Sequence, residues 1–159
     1  NQIINKLENI SNLNFDFEQN INGKIEIGNC TIQYPKKMFC EYDKKNKVMV
    51  SNGKSLVIKS NLSYYRYALN KTPLNFILDK NFLLKKISEL NEEIINNSLI
   101  KFTIKENNQL IDIFFDIKNY ELIGWQTKDI YQNTAVTLLY SIKLNQVVDE
   151  KIFKTPLQN

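Results

Sequence analysis

The sequence predicts a mainly β chain of the α+β class, an antiparallel meandering sheet carrying an N-terminal helix and a helical insert. Three observations point there. Long stretches alternate apolar and polar residues with period two, as in Ile111, Ile113, Phe115 and Ile117 against Asp112 and Asp116. Short stretches at the start and middle instead carry an i, i+3, i+4 stripe. Finally, the apolar runs 48–50 and 56–58 flank Ser51-Asn52-Gly53-Lys54, where Asn-Gly supplies the positive φ angles of a tight hairpin.

Taken in order, residues 1–10 place Ile3, Ile4, Leu7 and Ile10 on one face of an amphipathic helix. The period then changes. Ile25 and Ile27 alternate with Lys24 and Glu26, and Cys30, Ile32 and Tyr34 alternate with Thr31 and Gln33, a pattern read as strands with one buried face. After the Asn52-Gly53 hairpin, Lys71-Thr72-Pro73-Leu74 reads as a helix start, Thr72 capping and Pro73 at the first helical position. Leu74, Ile77 and Leu78 form its stripe. A second helix is expected over about 80–90, using Phe82, Leu83, Lys86, Ile87 and Leu90. Strands return from 99, with turns at Asn107-Asn108 and Lys118-Asn119, and end in Val136, Leu138, Tyr140, Ile142 and Leu144.

Composition narrows the function. A chain of 159 residues suits a single domain with a real core. The net charge of +4 is mild, and Arg66 is the only arginine among 21 basic residues, so the forked donors that read bases and phosphates are missing and no nucleic-acid partner is expected. No run approaches the roughly 20 apolar residues of a membrane-spanning helix. Opening on Asn1 is what removal of a signal peptide leaves, as trimming of the chain would too. The sequon Asn61-Leu62-Ser63 is read as a by-product of an Asn-rich, AT-rich coding sequence.

Histidine is absent, which removes the commonest general base and metal ligand. Asp112 and Asp116 alternate with an apolar face and read as solvated strand positions. The four glycines, at 23, 28, 53 and 124, form no phosphate-cradling pattern. An enzyme is not expected. Cys30 and Cys40 flank Pro35 symmetrically, so strands folding back about the proline would oppose them, with Cβ atoms about 4.5–5.5 Å apart. A disulfide is favoured, contributing roughly 2–3 kcal/mol and implying an oxidising compartment; two buried free thiols remain the alternative, and zinc or redox chemistry lacks its further ligands or its C-x-x-C spacing. The alternating strands and amphipathic helices either simply form a core or keep part of a concave face for a lipid; composition leaves both open.

The order Phe17-Glu18-Gln19, Gly28, Tyr34-Pro35-Lys36-Lys37-Met38, Glu41-Tyr42-Asp43, Val50-Ser51-Asn52-Gly53-Lys54 and Tyr67-Ala68-Leu69-Asn70-Lys71-Thr72-Pro73-Leu74 resembles the periplasmic outer-membrane lipoprotein carrier family, LolA, in the style of its alphaproteobacterial members. Leu122-Ile123-Gly124-Trp125 with Asp129, and the late Phe153 and Pro156, extend the likeness over most of the chain. In the family pattern F-x-Q lies near the end of the first helix region.

The resemblance implies a half-open antiparallel β-barrel whose concave face is covered by a helical lid. It implies a periplasmic carrier, residues 1–159 forming one domain, that takes triacylated lipoproteins from an inner-membrane ABC exporter to an outer-membrane receptor with no cofactor. A monomer is expected. Acyl-chain contacts are then expected from Phe17, Ile32, Met38, Tyr42, Leu74, Ile77, Leu78, Ile113, Phe115, Val136 and Leu138. Where the family carries an arginine before the turn proline, bonding the lid, this chain has Tyr34, so the latch is expected there with a single hydroxyl. Cys40 replaces an aromatic. The same fold also resembles sensor domains that bind a regulatory partner, which stands as the alternative. An outer-membrane acceptor would begin with a lipidated cysteine, and none stands near Asn1.

Overall fold

A computed structural model describes residues 1–128 and 133–159; Asp129 lies outside them. Eleven strands form one antiparallel sheet: β1 (Asn12–Ile21), β2 (Lys24–Gln33), β3 (Lys37–Tyr42), β4 (Lys47–Asn52), β5 (Ser55–Lys59), β6 (Tyr64–Ala68), β7 (Glu93–Ile95), β8 (Leu99–Glu106), β9 (Gln109–Asp116), β10 (Leu122–Lys128) and β11 (Thr134–Leu144). Their order is β6-β5-β4-β3-β2-β1-β11-β10-β9-β8-β7, so β6 and β7 remain as free edges and the barrel is half open. The helical insert, joining those two edges through the chain, consists of a 3-10 turn (Leu69–Lys71), α2 (Leu74–Ile77) and α3 (Lys80–Glu89).

The local chemistry explains most boundaries. Helix α1 (Gln2–Glu8) starts at Asn1, whose side chain accepts from the N–H groups of Ile3 and Ile4. At the β4–β5 hairpin, Gly53 takes φ +99° and the Asn52 side chain accepts from the N–H groups of Lys54 and Ser55. Asp79 caps α3 by accepting from Phe82 N at 3.1 Å. The expected cap at Thr72 is corrected: its hydroxyl donates back to Leu69 O and closes the preceding 3-10 turn, and α2 begins after Pro73 without a side-chain cap.

The concave face holds the core. Phe15, Ile32, Phe102, Ile111, Ile113 and Phe115 are essentially inaccessible, and α1 and α3 lay Ile3, Leu7, Leu83 and Ile87 into the same cluster. Edge-on aromatic contacts join Phe15 to Trp125 and Phe102 to Phe115. Lys80 Nζ ties α3 to α1 by donating to Ile10 O at 2.8 Å, and Lys86 ties α3 to the sheet through Glu106 at 2.8 Å. The other side of the sheet is partly covered by the C-terminal segment, which runs over β3 and β4 and reaches β5 and β6, where Tyr64 donates to Pro156 O.

Two facings differ from the sequence expectation, because a single slip reverses a strand's faces. In β2 it is Glu26, Gly28, Cys30 and Ile32 that point inward, leaving Ile25 and Ile27 exposed on the convex side at 56% and 49%. In β11 the pairing with β1 shifts register: Asn14 faces Lys143 but Asp16 faces Tyr140, so Ser141 and Ile142 together oppose Phe15. Ser141 sits at φ +53°, the signature of a bulge. Upstream of it Thr137 and Leu139 are buried; downstream Ile142 and Leu144 pack on the core. Strict alternation from Val136 to Leu144 is therefore wrong by one residue at its start, and Val136 and Leu138 lie on the convex side.

Candidate functional site

Where α3 and α1 do not reach, the concave face encloses a cavity of about 240 Å³. β1 contributes Phe17 and Gln19; β3 contributes Met38, Cys40 and Tyr42; β4 and β5 contribute Met49 and Leu56; β10 and β11 contribute Trp125, Thr127, Ala135 and Thr137. Its roof is the insert, through Thr72, Pro73, Leu74 and Ile77.

The aromatic wall depends on one glycine. Phe17, Gly28 and Tyr42 form a cross-strand row on β1, β2 and β3. With no side chain at the middle position, the rings of Phe17 and Tyr42 meet edge-on across it, 5.1 Å between centroids. A Cβ there would lie 2.1 Å from Glu41 O and 2.8 Å from the Phe17 ring, so no larger residue fits. One row along, Cys30 and Cys40 are directly paired and joined by a disulfide, and both residues line the cavity. The symmetric placement about Pro35 thus gives the expected pairing.

The roof is held at the β2–β3 turn, by a different residue from the one expected. Lys36, at φ +66°, donates its backbone N–H to Leu78 O at 2.8 Å, and its ammonium donates to Asn75 Oδ1 at 3.0 Å and lies 3.8 Å from Asp79. Ser51 donates to Lys36 O and fixes the turn from below. Tyr34, by contrast, is packed against the core with Lys80 over its ring, and among the described residues its hydroxyl makes no hydrogen bond to the lid. Burial pushes that phenol up, so it stays protonated. No sequence pattern could have pointed to Lys36, since its strongest link to the lid is a backbone N–H.

One end of the cavity is polar. Glu26 is 7% exposed and lines it together with Lys47. Burial alone would raise the Glu26 carboxyl, but hydrogen bonds from Lys47 and Lys45 outweigh it and hold the group below the usual range, as a carboxylate. Lys47 Nζ reaches both Glu26 oxygens at 3.2 and 3.0 Å and stands 4.3 Å over the Tyr42 ring; Lys45 is 3.2 Å from the same carboxylate. Opposite, Gln19 donates to the Thr137 hydroxyl at 3.1 Å. Sequence reading missed this end altogether, because Glu26 was placed on the solvent face.

Of the residues expected to contact acyl chains, the structure brings Phe17, Met38, Tyr42, Leu74 and Ile77 to the cavity. Ile32, Leu78, Ile113 and Phe115 are buried in the core away from it, and Val136 and Leu138 yield to Ala135 and Thr137 on the inward side of β11. Phe17 lies in the middle of β1, not near the end of a helix. Among the described residues no cluster of His, Cys, Asp or Glu could hold a metal, and no helix is long and apolar enough to cross a membrane.

An uncharacterised conserved protein from Thermus thermophilus superposes with a TM-score of 0.56 at 8% identity, over 98% of this chain and 93% of that one. A DUF1329 family protein from Desulfovibrio piger gives 0.52 at 7%, over 95% and 92%. A LolA superfamily protein from Nitrosomonas europaea gives 0.49 at 9%, over 96% of both. At their identities the first two show a likeness of fold alone. No curated protein matches the sequence. The sequence profile of the family described as outer membrane lipoprotein carrier protein LolA, however, matches residues 8–156, nearly the whole chain, and the chain belongs to that family.

Proposed function

We propose that this chain is a periplasmic carrier that binds the acyl chains of triacylated lipoproteins, taking them from an inner-membrane ABC exporter and giving them to an outer-membrane receptor. It acts as a monomer of one domain, without a covalent step or cofactor. The observation that carries this reading is the apolar cavity roofed by α2, a four-residue helix tied to the sheet through one turn. The disulfide in its wall suits an oxidising compartment.

The size of the cavity says how such a carrier would work. At about 240 Å³ it is larger than the 150 Å³ engineered cavity that holds benzene, but it falls short of the roughly 300–1,000 Å³ of pockets that enclose a drug-sized ligand. Three acyl chains do not fit beneath the roof as it stands, so loading requires α2 to lift. Each buried methylene contributes about 0.8 kcal/mol, enough to offset the loss of a few lid contacts. Surrender of the cargo then needs only an acceptor whose differential affinity exceeds that offset.

Native mass spectrometry with a triacylated lipopeptide and its non-acylated counterpart tests the reading. A 1:1 complex that requires the acyl chains is expected. The absence of any acyl-dependent complex from the folded protein would overturn it and favour a partner-binding module.

A further inference from the structure

The two free edges of the sheet differ in charge. At β7, Glu93 pairs with Lys101 beside a second glutamate, Glu92; around β6, by contrast, the chain carries no acidic residue from Lys44 to Leu78. Four cations follow the length of the β6 edge. Lys59 is paired with Tyr64, Arg66 lies in the strand itself, Lys54 accepts the Leu69 N–H at the far end through its backbone carbonyl, and Lys71 comes just beyond. Among the described residues none of the four has an acidic partner.

Cations on a free edge discourage pairing with another strand, but that role does not account for the apolar groups set among them. Leu62, in the turn between β5 and β6, is 98% exposed. Leu157 is 77% exposed and is held at the same end of the edge, where Lys59 donates to its carbonyl and the Tyr64 hydroxyl donates to that of Pro156. Tyr65 and Tyr67 oppose Ile58 and Leu56, two residues of the cavity wall, so both rings stand on the concave side; they are about half exposed and stacked, with centroids 6.4 Å apart. Aliphatic tips, tyrosine rings and cations in one row match the layers of an anionic membrane surface. Leucine enters the acyl boundary, tyrosine sits at headgroup level, and lysine and arginine meet the anionic groups.

We propose that the β6 edge docks on an anionic lipid surface, with Leu62 and Leu157 entering it at one end. Because Tyr65 and Tyr67 continue the wall formed by Leu56 and Ile58, docking by this edge brings the rim of the cavity to the lipid. The inference goes beyond the acyl-carrier reading and does not depend on it.

Flotation of the full chain with vesicles of equimolar phosphatidylglycerol and phosphatidylcholine, against vesicles of phosphatidylcholine alone, tests the proposal at low salt. The protein should float with the anionic vesicles only, and less of it as salt rises. Arg66→Gln and Lys54→Gln should each weaken binding about fivefold, the effect of one cation near an anionic surface, and Leu62→Ser about tenfold. Val147→Ser removes a fully exposed apolar side chain that lies beside Asn12 and Asn14 of β1, away from this edge, and should change nothing. No binding to the anionic vesicles, undiminished binding by Leu62→Ser, or an equal loss in Val147→Ser would overturn the proposal. Leu62→Ser and Arg66→Gln should both keep the 1:1 lipopeptide complex in native mass spectrometry. If vesicle docking fails while that complex forms, only the docking edge falls; if the edge docks and no acyl-dependent complex forms, only the carrier reading falls.

Discussion

Replacing Lys36 by alanine isolates the side-chain part of the lid latch. Both residues carry a Cβ, so the penalty of the left-handed conformation at φ +66° is unchanged, and the backbone N–H still donates to Leu78 O. What is lost is the hydrogen bond to Asn75 at 3.0 Å and the ion pair with Asp79 at 3.8 Å. Both charged side chains are about one-third exposed, so solvent screens the pair and its contribution is at the low end, a few tenths of a kcal/mol; with the hydrogen bond the sum is about 1 kcal/mol. Local opening of α2 should therefore become about fivefold more frequent, read as faster hydrogen exchange at the Leu78 N–H that bonds to Leu74 O, with α3 unaffected. Lys36→Gly should loosen α2 equally while recovering about 1 kcal/mol of global stability, because glycine takes positive φ freely. Tyr34→Phe should change neither quantity. Faster α2 exchange in Tyr34→Phe together with wild-type exchange in Lys36→Ala would refute the assignment and return the latch to the tyrosine.

Four further outcomes follow from the same geometry. Reducing the Cys30–Cys40 bond, which closes a loop of sequence separation 10, should lower unfolding free energy by about 2–3 kcal/mol in denaturant titrations, and an unchanged midpoint in reductant would contradict a formed disulfide. Ala135→Leu places three extra carbons in the cavity and should block lipopeptide binding to the folded protein, measured by Trp125 fluorescence; undiminished binding would place the ligand elsewhere. Leu139→Ala should cost about 2–4 kcal/mol whereas Leu138→Ser stays within about 0.5 kcal/mol, and the reverse order would refute the bulge at Ser141. Because the Glu26 carboxyl is held below its unfolded value, its ion pairs stabilise the fold above the ordinary carboxylate range and that stabilisation is lost as pH falls through the folded value; Glu26→Gln should therefore flatten the acid limb of the stability–pH curve, and an unaltered limb would show that the lysines do not hold it.

Features fixed by neighbours in sequence were legible before the structure. The Asn52-Gly53 hairpin, the α1 stripe and the Cys30–Cys40 pairing each depend on a few adjacent residues and a turn between them. The lid was legible as a helix but not in its attachment, since Lys36 reaches Leu78 through a backbone group any residue but proline possesses. The faces of β2 and β11 were not legible either. Both strands carry apolar residues at consecutive parities, Ile25 and Ile27 before Cys30 and Ile32, and Leu138 beside Leu139, so alternation alone has two solutions. Pairing with β1 chooses between them, and that pairing spans more than a hundred residues in the case of β11.

The choice has a direct consequence for the site. Had Val136 and Leu138 faced inward, their side chains would occupy the space that Ala135 and Thr137 leave open; with Gly28 beneath the Phe17 and Tyr42 rings and Thr127 on β10, the small inward residues cluster on one half of the concave face. The other half receives Phe102, Ile111, Ile113 and Phe115, and α1 and α3 close over it. The void and the packed core are thus two outcomes of one sheet, divided by side-chain volume. Because close packing leaves few voids that helices do not fill, a cavity can persist here only where inward side chains are small and the covering helix is too short and too lightly tied to press down on them. A four-residue α2 held at Lys36 meets that condition, and lengthening its apolar face or enlarging Ala135 should remove the cavity and the binding together, leaving a better-packed protein that carries nothing.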